Sequence, residues 1–306
     1  MDTVLILLRQ ITILFAFMGL GWILSKTGLL GTAGTKDLSN LVLRFVVPAI
    51  LIKSFLVERT AENTSGFLLS FALSLGAILL SMGISKLIFR KRDRVIEHFG
   101  SAFSNVGFFA IPIVQAYLGE SAVFYIASFV MLIFTLQWTY GLYQFTRDKA
   151  MFKPLSLVKN PVLIAFVLAV FLFFTQIPVP EIVKTPLEML SALNTPLAMI
   201  ILGSYLAKMP FLSLFTNKHA YFASLVRLVV IPIVTIALFS FLPERLAALR
   251  LAVLIPAIAP VGVNVAVFAG LYDQDYSQSV RVVCLSTLLS IVTIPLLVTL
   301  SLWLWG

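Results

Sequence analysis

Ten apolar stretches follow one another along this chain with short polar loops between them, at 3–24, 38–56, 66–89, 95–118, 121–146, 159–177, 186–207, 219–242, 246–272 and 277–305. Each reaches the roughly 18 residues that a helix needs to cross a hydrocarbon core about 30 Å thick. Only 11% of the 306 residues are charged, where a soluble domain carries about 25%. Lipid must therefore solvate much of the exterior. Backbone polar groups in lipid have to pair within their own segment, which selects helices. The alternating ten-residue strands of an outer-membrane barrel are absent. The expected fold is an all-α membrane protein of ten transmembrane helices.

Basic residues orient the helices. The loops after stretches one, three, five, seven and nine hold Lys26, Lys36, Arg90, Lys91, Arg92, Arg94, Arg147, Lys149, Lys153, Lys159, Lys208 and Lys218. The opposite loops hold Lys53, Arg59, Lys184, Arg245 and Arg250. Twelve against five places the first set in the cytoplasm and both termini outside it. The net charge of +9 is then loop charge and implies no nucleic-acid partner. The first stretch runs into Ser25-Lys26-Thr27-Gly28 without a small-residue cleavage pattern, so no cleavable leader is expected. Cys284, the single cysteine, rules out an intramolecular disulfide.

The basic loop near Lys149–Lys159 divides the chain into halves 1–153 and 154–306, each with five stretches. An odd number per half forces the second half to insert upside down. Leu38-Ser39 and Leu190-Ser191, Val106-Gly107 and Val261-Gly262, and Tyr117 and Tyr272 fall at corresponding places, which supports an inverted repeat. Stretches four and nine contain Ser104-Asn105-Val106-Gly107 with Pro112, and Pro260-Val261-Gly262-Val263-Asn264. Pro112 and Pro260 cannot donate to the carbonyls four residues earlier. Corresponding interruptions in two halves point to a transporter binding site near the midplane. Pro48, Pro232 and Pro295 are expected to be kinks only.

At these residues the chain resembles the auxin efflux carrier family, including its bacterial malate and malonate permease-like members. The resemblance is carried by Leu41-Val42-Leu43 with Pro48-Ala49, Ser104 through Pro112, Lys159-Asn160-Pro161, Asn194-Thr195-Pro196-Leu197-Ala198 with Gly203, Pro260 through Asn264, and Leu285 through Ser290 with Ile294-Pro295. It implies two inverted five-helix repeats that cross at broken helices four and nine. It also implies a homodimer, a scaffold of helices one, two, six and seven, and a mobile domain of the remaining helices. The implied function is elevator-like transport of mono- or dicarboxylates such as malate or malonate across a bacterial inner membrane. A passive anion channel or uncoupled facilitator is the alternative.

Two half-helix N-termini, near Gly107–Ile111 and Gly262–Asn264, would favour a carboxylate. Asn105, Gly107, Pro112, Pro260, Gly262 and Asn264 are the expected substrate contacts, with Gln115, Gln137, Arg227 and Arg44 as further candidates. The carbonyl oxygens of Asn105 and Asn264 could serve a coupling sodium; a proton is the other coupling ion considered. Arg44, Arg227 and Arg281 lie within stretches that hold no obvious carboxylate, and intramembrane charge implies function by default. Arg44 and Arg281 are expected to snorkel to the cytoplasmic side. No HExxH, GxSxG or Walker pattern occurs, so no catalysis, cofactor or resident metal is expected.

Overall fold

A computed structural model describes residues 2–149, 160–209 and 214–305. The expected boundary after residue 153 lies outside the described residues, as do Lys153 and Lys159. Each of the ten apolar stretches is helical. α1 is Asp2–Lys26. α2 runs through Thr32–Leu41, a π-turn at Val42–Val46, and Val47–Ser54. α3 is Ala61–Ile88. The fourth stretch is broken into α4a, Val95–Ala102, and α4b, Val106–Leu118. α5 is Glu120–Thr146, α6 Pro161–Thr175, α7 Glu181–Ala207 and α8 Lys218–Phe239. The ninth stretch is broken into α9a, Ala247–Ile258, and α9b, Asn264–Leu271; α10 is Tyr276–Trp305. Among the described residues, α3, α5, α7, α8 and α10 are long and apolar enough to cross a membrane. Thr12–Lys26, α4b and α6 are shorter apolar helices. The described residues hold no strand, only an isolated antiparallel bridge between Ser104 and Val261.

Helix starts follow from side-chain caps. Thr60 accepts from the Asn63 N–H, Asn160 from Val162, and Asn217 from His219 and Ala220; such a cap contributes about 1 kcal/mol. Gly119 turns the chain between α4b and α5 at φ +89°, where a side chain would be strained.

Three of the prolines inside helices share a companion. Pro48, Pro112 and Pro232 each follow a five-residue π-turn, and the residue just before each proline donates five residues back: Val47 to Val42, Ile111 to Val106, Ile231 to Val226. The widened turn takes up the extra residue where a proline ring would crowd the preceding turn. Pro48 and Pro232 are therefore more than kinks, whereas Pro295 sits in a continuous α-helix.

Packing sets α1 against α7, and α2 against α6 and α7. The α1–α7 approach depends on glycine. A Cβ on Gly21 would collide with the Ile200 carbonyl, and one on Gly203 with the Met18 carbonyl. Small residues allow such backbone contact where apolar burial supplies no driving force. α3 packs on α4a and α5, and α10 on α8 and α9b. Phe55 joins the ends of α2, α3, α5 and α6, meeting Phe67, Phe124, Phe166 and Phe173 edge-on with centroids 4.9–6.0 Å apart.

α2 begins at Thr32, six residues before the expected start. Thr35 and Ser39 return their hydroxyls to the carbonyls of Gly31 and Thr35, at 2.9 and 2.8 Å, so both donors stay paired as the helix is extended. Arg44 consequently stands twelve residues from the helix start, about 18 Å along the axis. It is exposed beside Leu41 and Phe45, with the polar turns Thr32–Asn40 between it and that end.

Candidate functional site

The two breaks pair with each other. The Asn105 N–H donates to the Pro260 carbonyl at 2.8 Å, and the Gly262 N–H to the Phe103 carbonyl at 3.0 Å. α9 breaks for a local reason: the residue before proline is pushed out of the helical region, and Ala259 has ψ 153°. α4 breaks without a proline at the break. There the Asn105 side chain competes for backbone donors and caps α4b, accepting from Phe108 N–H at 3.3 Å. Gly262 stands at a close approach. A Cβ there would stand 3.1 Å from the Ser104 carbonyl and 3.3 Å from Gln137 Nε2. At Gly107 the nearest atoms would be 3.5 Å or more away, an ordinary contact.

Asn105, Gly107, Gln137, Gly262 and Asn264 line one buried cavity, with Leu43 of α2 on its wall. Asn264 Nδ2 donates to Gln137 Oε1 at 2.6 Å. Ser286 of α10 accepts from the Val261 N–H at 3.1 Å. Asn194, at the joint within α7, donates to the Gly107 carbonyl at 3.1 Å. Asn105 Nδ2 and Ser104 Oγ are buried and have no hydrogen-bond partner among the described residues. The cavity is about 10 Å³, room for about one water. The crossing therefore has no room for a larger solute in this conformation.

Behind the crossing, Arg227 of α8 is 1% exposed. Its Nε donates to the Ala259 carbonyl at 2.8 Å, its Nη1 to Ser101 at 3.3 Å, and its Nη2 to Ala257. These carbonyls belong to the C-terminal ends of α9a and α4a. Each helix end carries roughly half an elementary charge, negative at the C-terminus and positive at the N-terminus. One guanidinium therefore offsets both negative ends. The positive ends of α4b and α9b face the cavity with the Asn105 amide.

The remaining expected residues do not line this cavity. Pro112 is buried within α4b behind its π-turn, and Pro260 contributes its carbonyl to the crossing. Arg44 is exposed on α2, next in sequence to Leu43. Gln115 stands at the far end of α4b, bonded to Glu120. Asn194 and Ser286, which sequence marks only as part of the family resemblance, and Glu97 were not among the expected site residues. Glu97 is a carboxylate buried in α4a, so the fourth stretch does contain one. It accepts from Gln278 Nε2 at 3.2 Å, and Gln278 accepts from Asn217 at 2.7 Å, which ties α4a to α8 and α10.

No curated protein matches the chain. Residues 6–298 match the family model described as membrane transport protein. The chain, broken helices included, therefore belongs to the membrane transport protein family, that of the auxin efflux carriers its motifs resemble, and is a multi-pass membrane transporter.

Proposed function

We propose that the protein is a secondary transporter of small organic anions, mono- or dicarboxylates such as malonate or malate. The observation that carries this reading is the arrangement of charge at the crossing. Two half-helix N-termini and an unpartnered amide donor face one cavity, while Arg227 neutralises the opposite ends. Preorganised donors of this kind favour a carboxylate. Asn105, Asn264, Gln137, Gly107 and Gly262 are the proposed contacts. Arg227 acts from behind by holding the half-helices, and Pro112 and Pro260 shape the breaks.

The proposed architecture is ten spanning helices in two inverted repeats, α1–α5 and α6–α10. The bridged breaks support it, as do Ser39 and Ser191, which both return their hydroxyls to the carbonyl four residues earlier. The proposed scaffold is α1, α2, α6 and α7, which pack together; the other helices move against it as an elevator and open the closed cavity to each side in turn. The excess of basic residues on one set of loops supports a bacterial inner-membrane orientation with both termini outside. A homodimer is proposed from the family resemblance. Sodium or proton coupling is part of the proposal, with the Asn105 and Asn264 carbonyl oxygens as candidate sodium contacts.

Counterflow of labelled malonate into proteoliposomes preloaded with unlabelled malonate tests this reading. Saturable accumulation is expected, and imposed sodium and proton gradients then identify the coupling. Entry that neither saturates nor responds to the internal anion would indicate a channel instead.

A further inference from the structure

Gln115, grouped with the crossing by sequence, faces a different cavity. This one measures about 170 Å³ and opens between α2, α7 and the α4b–α5 turn. It lies at the end of the molecule opposite the Arg90–Arg94 loop, because α3 separates the two. On its wall, Lys53 Nζ is 3.1 Å from Glu120 Oε2. Gln115 Nε2 reaches both oxygens of the same carboxylate, at 3.2 and 3.3 Å. Ser54, Ser121 and Ser191 also line it, the hydroxyls of Ser54 and Ser191 donating to Leu51 and Leu187 of their own helices. A cation and an amide donor thus converge on one carboxylate, and that carboxylate belongs to an exposed side chain, 62% accessible. An ion pair this exposed adds little stability and exchanges readily with solutes.

We propose that this cavity is an outer vestibule site for a small organic carboxylate, with Glu120 as the protein's own stand-in for the ligand. The incoming anion takes Lys53 and Gln115 from Glu120 before it moves to the crossing; the inference rests on the anion-transport reading. Three walls lead from one cavity to the other. Gln115 and Gly107 lie eight residues apart on α4b, about 12 Å. Ser191 is one helical turn before Asn194, whose amide donates to the Gly107 carbonyl. Ile50, on the vestibule wall, is one turn from Val47, which lies 3.7 Å from where a Gly107 Cβ would stand. The Asn194–Gly107 bond lies along this route.

The test reads occupancy and transport separately. Ser121→Cys places a thiol on the vestibule wall, and the single native cysteine, Cys284, is buried. The rate at which a negatively charged methanethiosulfonate modifies this thiol is measured with increasing malonate. Malonate is expected to slow modification. Glu120→Gln should lower the half-protecting concentration about two- to fivefold, the scale of an exposed ion pair. Lys53→Met should abolish protection and raise the external KM for malonate counterflow. Equal protection in all three backgrounds, or weaker protection in Glu120→Gln, would overturn the site. Normal wild-type counterflow without protection removes the vestibule alone. Lys53-dependent protection without counterflow keeps the vestibule and removes malonate transport. Absence of both removes both.

Discussion

On one face of the crossing, α4a and α9a end in carbonyls that Arg227 fills; on the other, α4b and α9b begin with N–H groups facing a cavity and an amide with no partner. The same two breaks generate both faces, yet the first is satisfied internally and the second is left with donor capacity. Broken helices in a membrane need partners for both sets of freed groups. Supplying the carbonyl face with a buried cation fixes the structure and leaves the field on the amide face unopposed. On the proposed reading, Arg227 serves stability and the Asn105 face serves recognition.

The strongest way to break this comparison is Arg227→Met. It removes charge-assisted hydrogen bonds to three carbonyls and is expected to destabilise the protein by about 3 kcal/mol or more, seen as lost accumulation in the membrane or a lowered melting temperature in detergent. A variant that melts like the wild type would remove the role given to Arg227. Next, Asn105→Asp should keep the α4b cap, and hence the melting temperature, while placing a negative charge where the anion binds. Malonate counterflow should fall by about a hundredfold or more; full counterflow with a folded protein would mean that the cavity does not take an anion. Asn264→Ala leaves Gln137 Oε1 without its donor and should raise the KM about five- to a hundredfold, with insertion intact. Unchanged counterflow by both Asn264→Ala and Asn105→Ala would remove the crossing as the site. The smallest effects separate the two glycines. Gly262→Ala should reduce the rate several-fold, because its Cβ would stand 3.1 Å from the Ser104 carbonyl, whereas Gly107→Ala should stay within about twofold, its neighbours lying at ordinary contact distance. Equal rates would show that the crossing tolerates separation of its strands.

The helices were legible because lipid imposes a length and an apolar composition on every span, and all ten stretches are helical. The break in α9 was legible for the same kind of local reason, since Pro260 acts on its own neighbours. The α4 break was half legible. Asn105 announces a cap, but pairing with Pro260 is a contact 155 positions away in sequence. The two glutamines show where local reading ends. Gln115 and Gln137 carry the same chemistry and were grouped alike, yet one is tied to Glu120 near the surface and the other to Asn264 in the crossing. Arg227 offered a usable signal. A deep arginine beside no carboxylate needs other acceptors, and broken helices supply carbonyls. Glu97 was missed because it falls at the polar start of α4a, where a carboxylate reads as loop charge although it is buried between helices.

The central claim is that the amide face of the crossing binds an anion. Equilibrium binding of labelled malonate to purified wild-type and Asn105→Asp proteins of matched thermal stability tests it most directly. Saturable binding by the wild type and none by the variant is the expected result. Equal binding by the two proteins would contradict the claim.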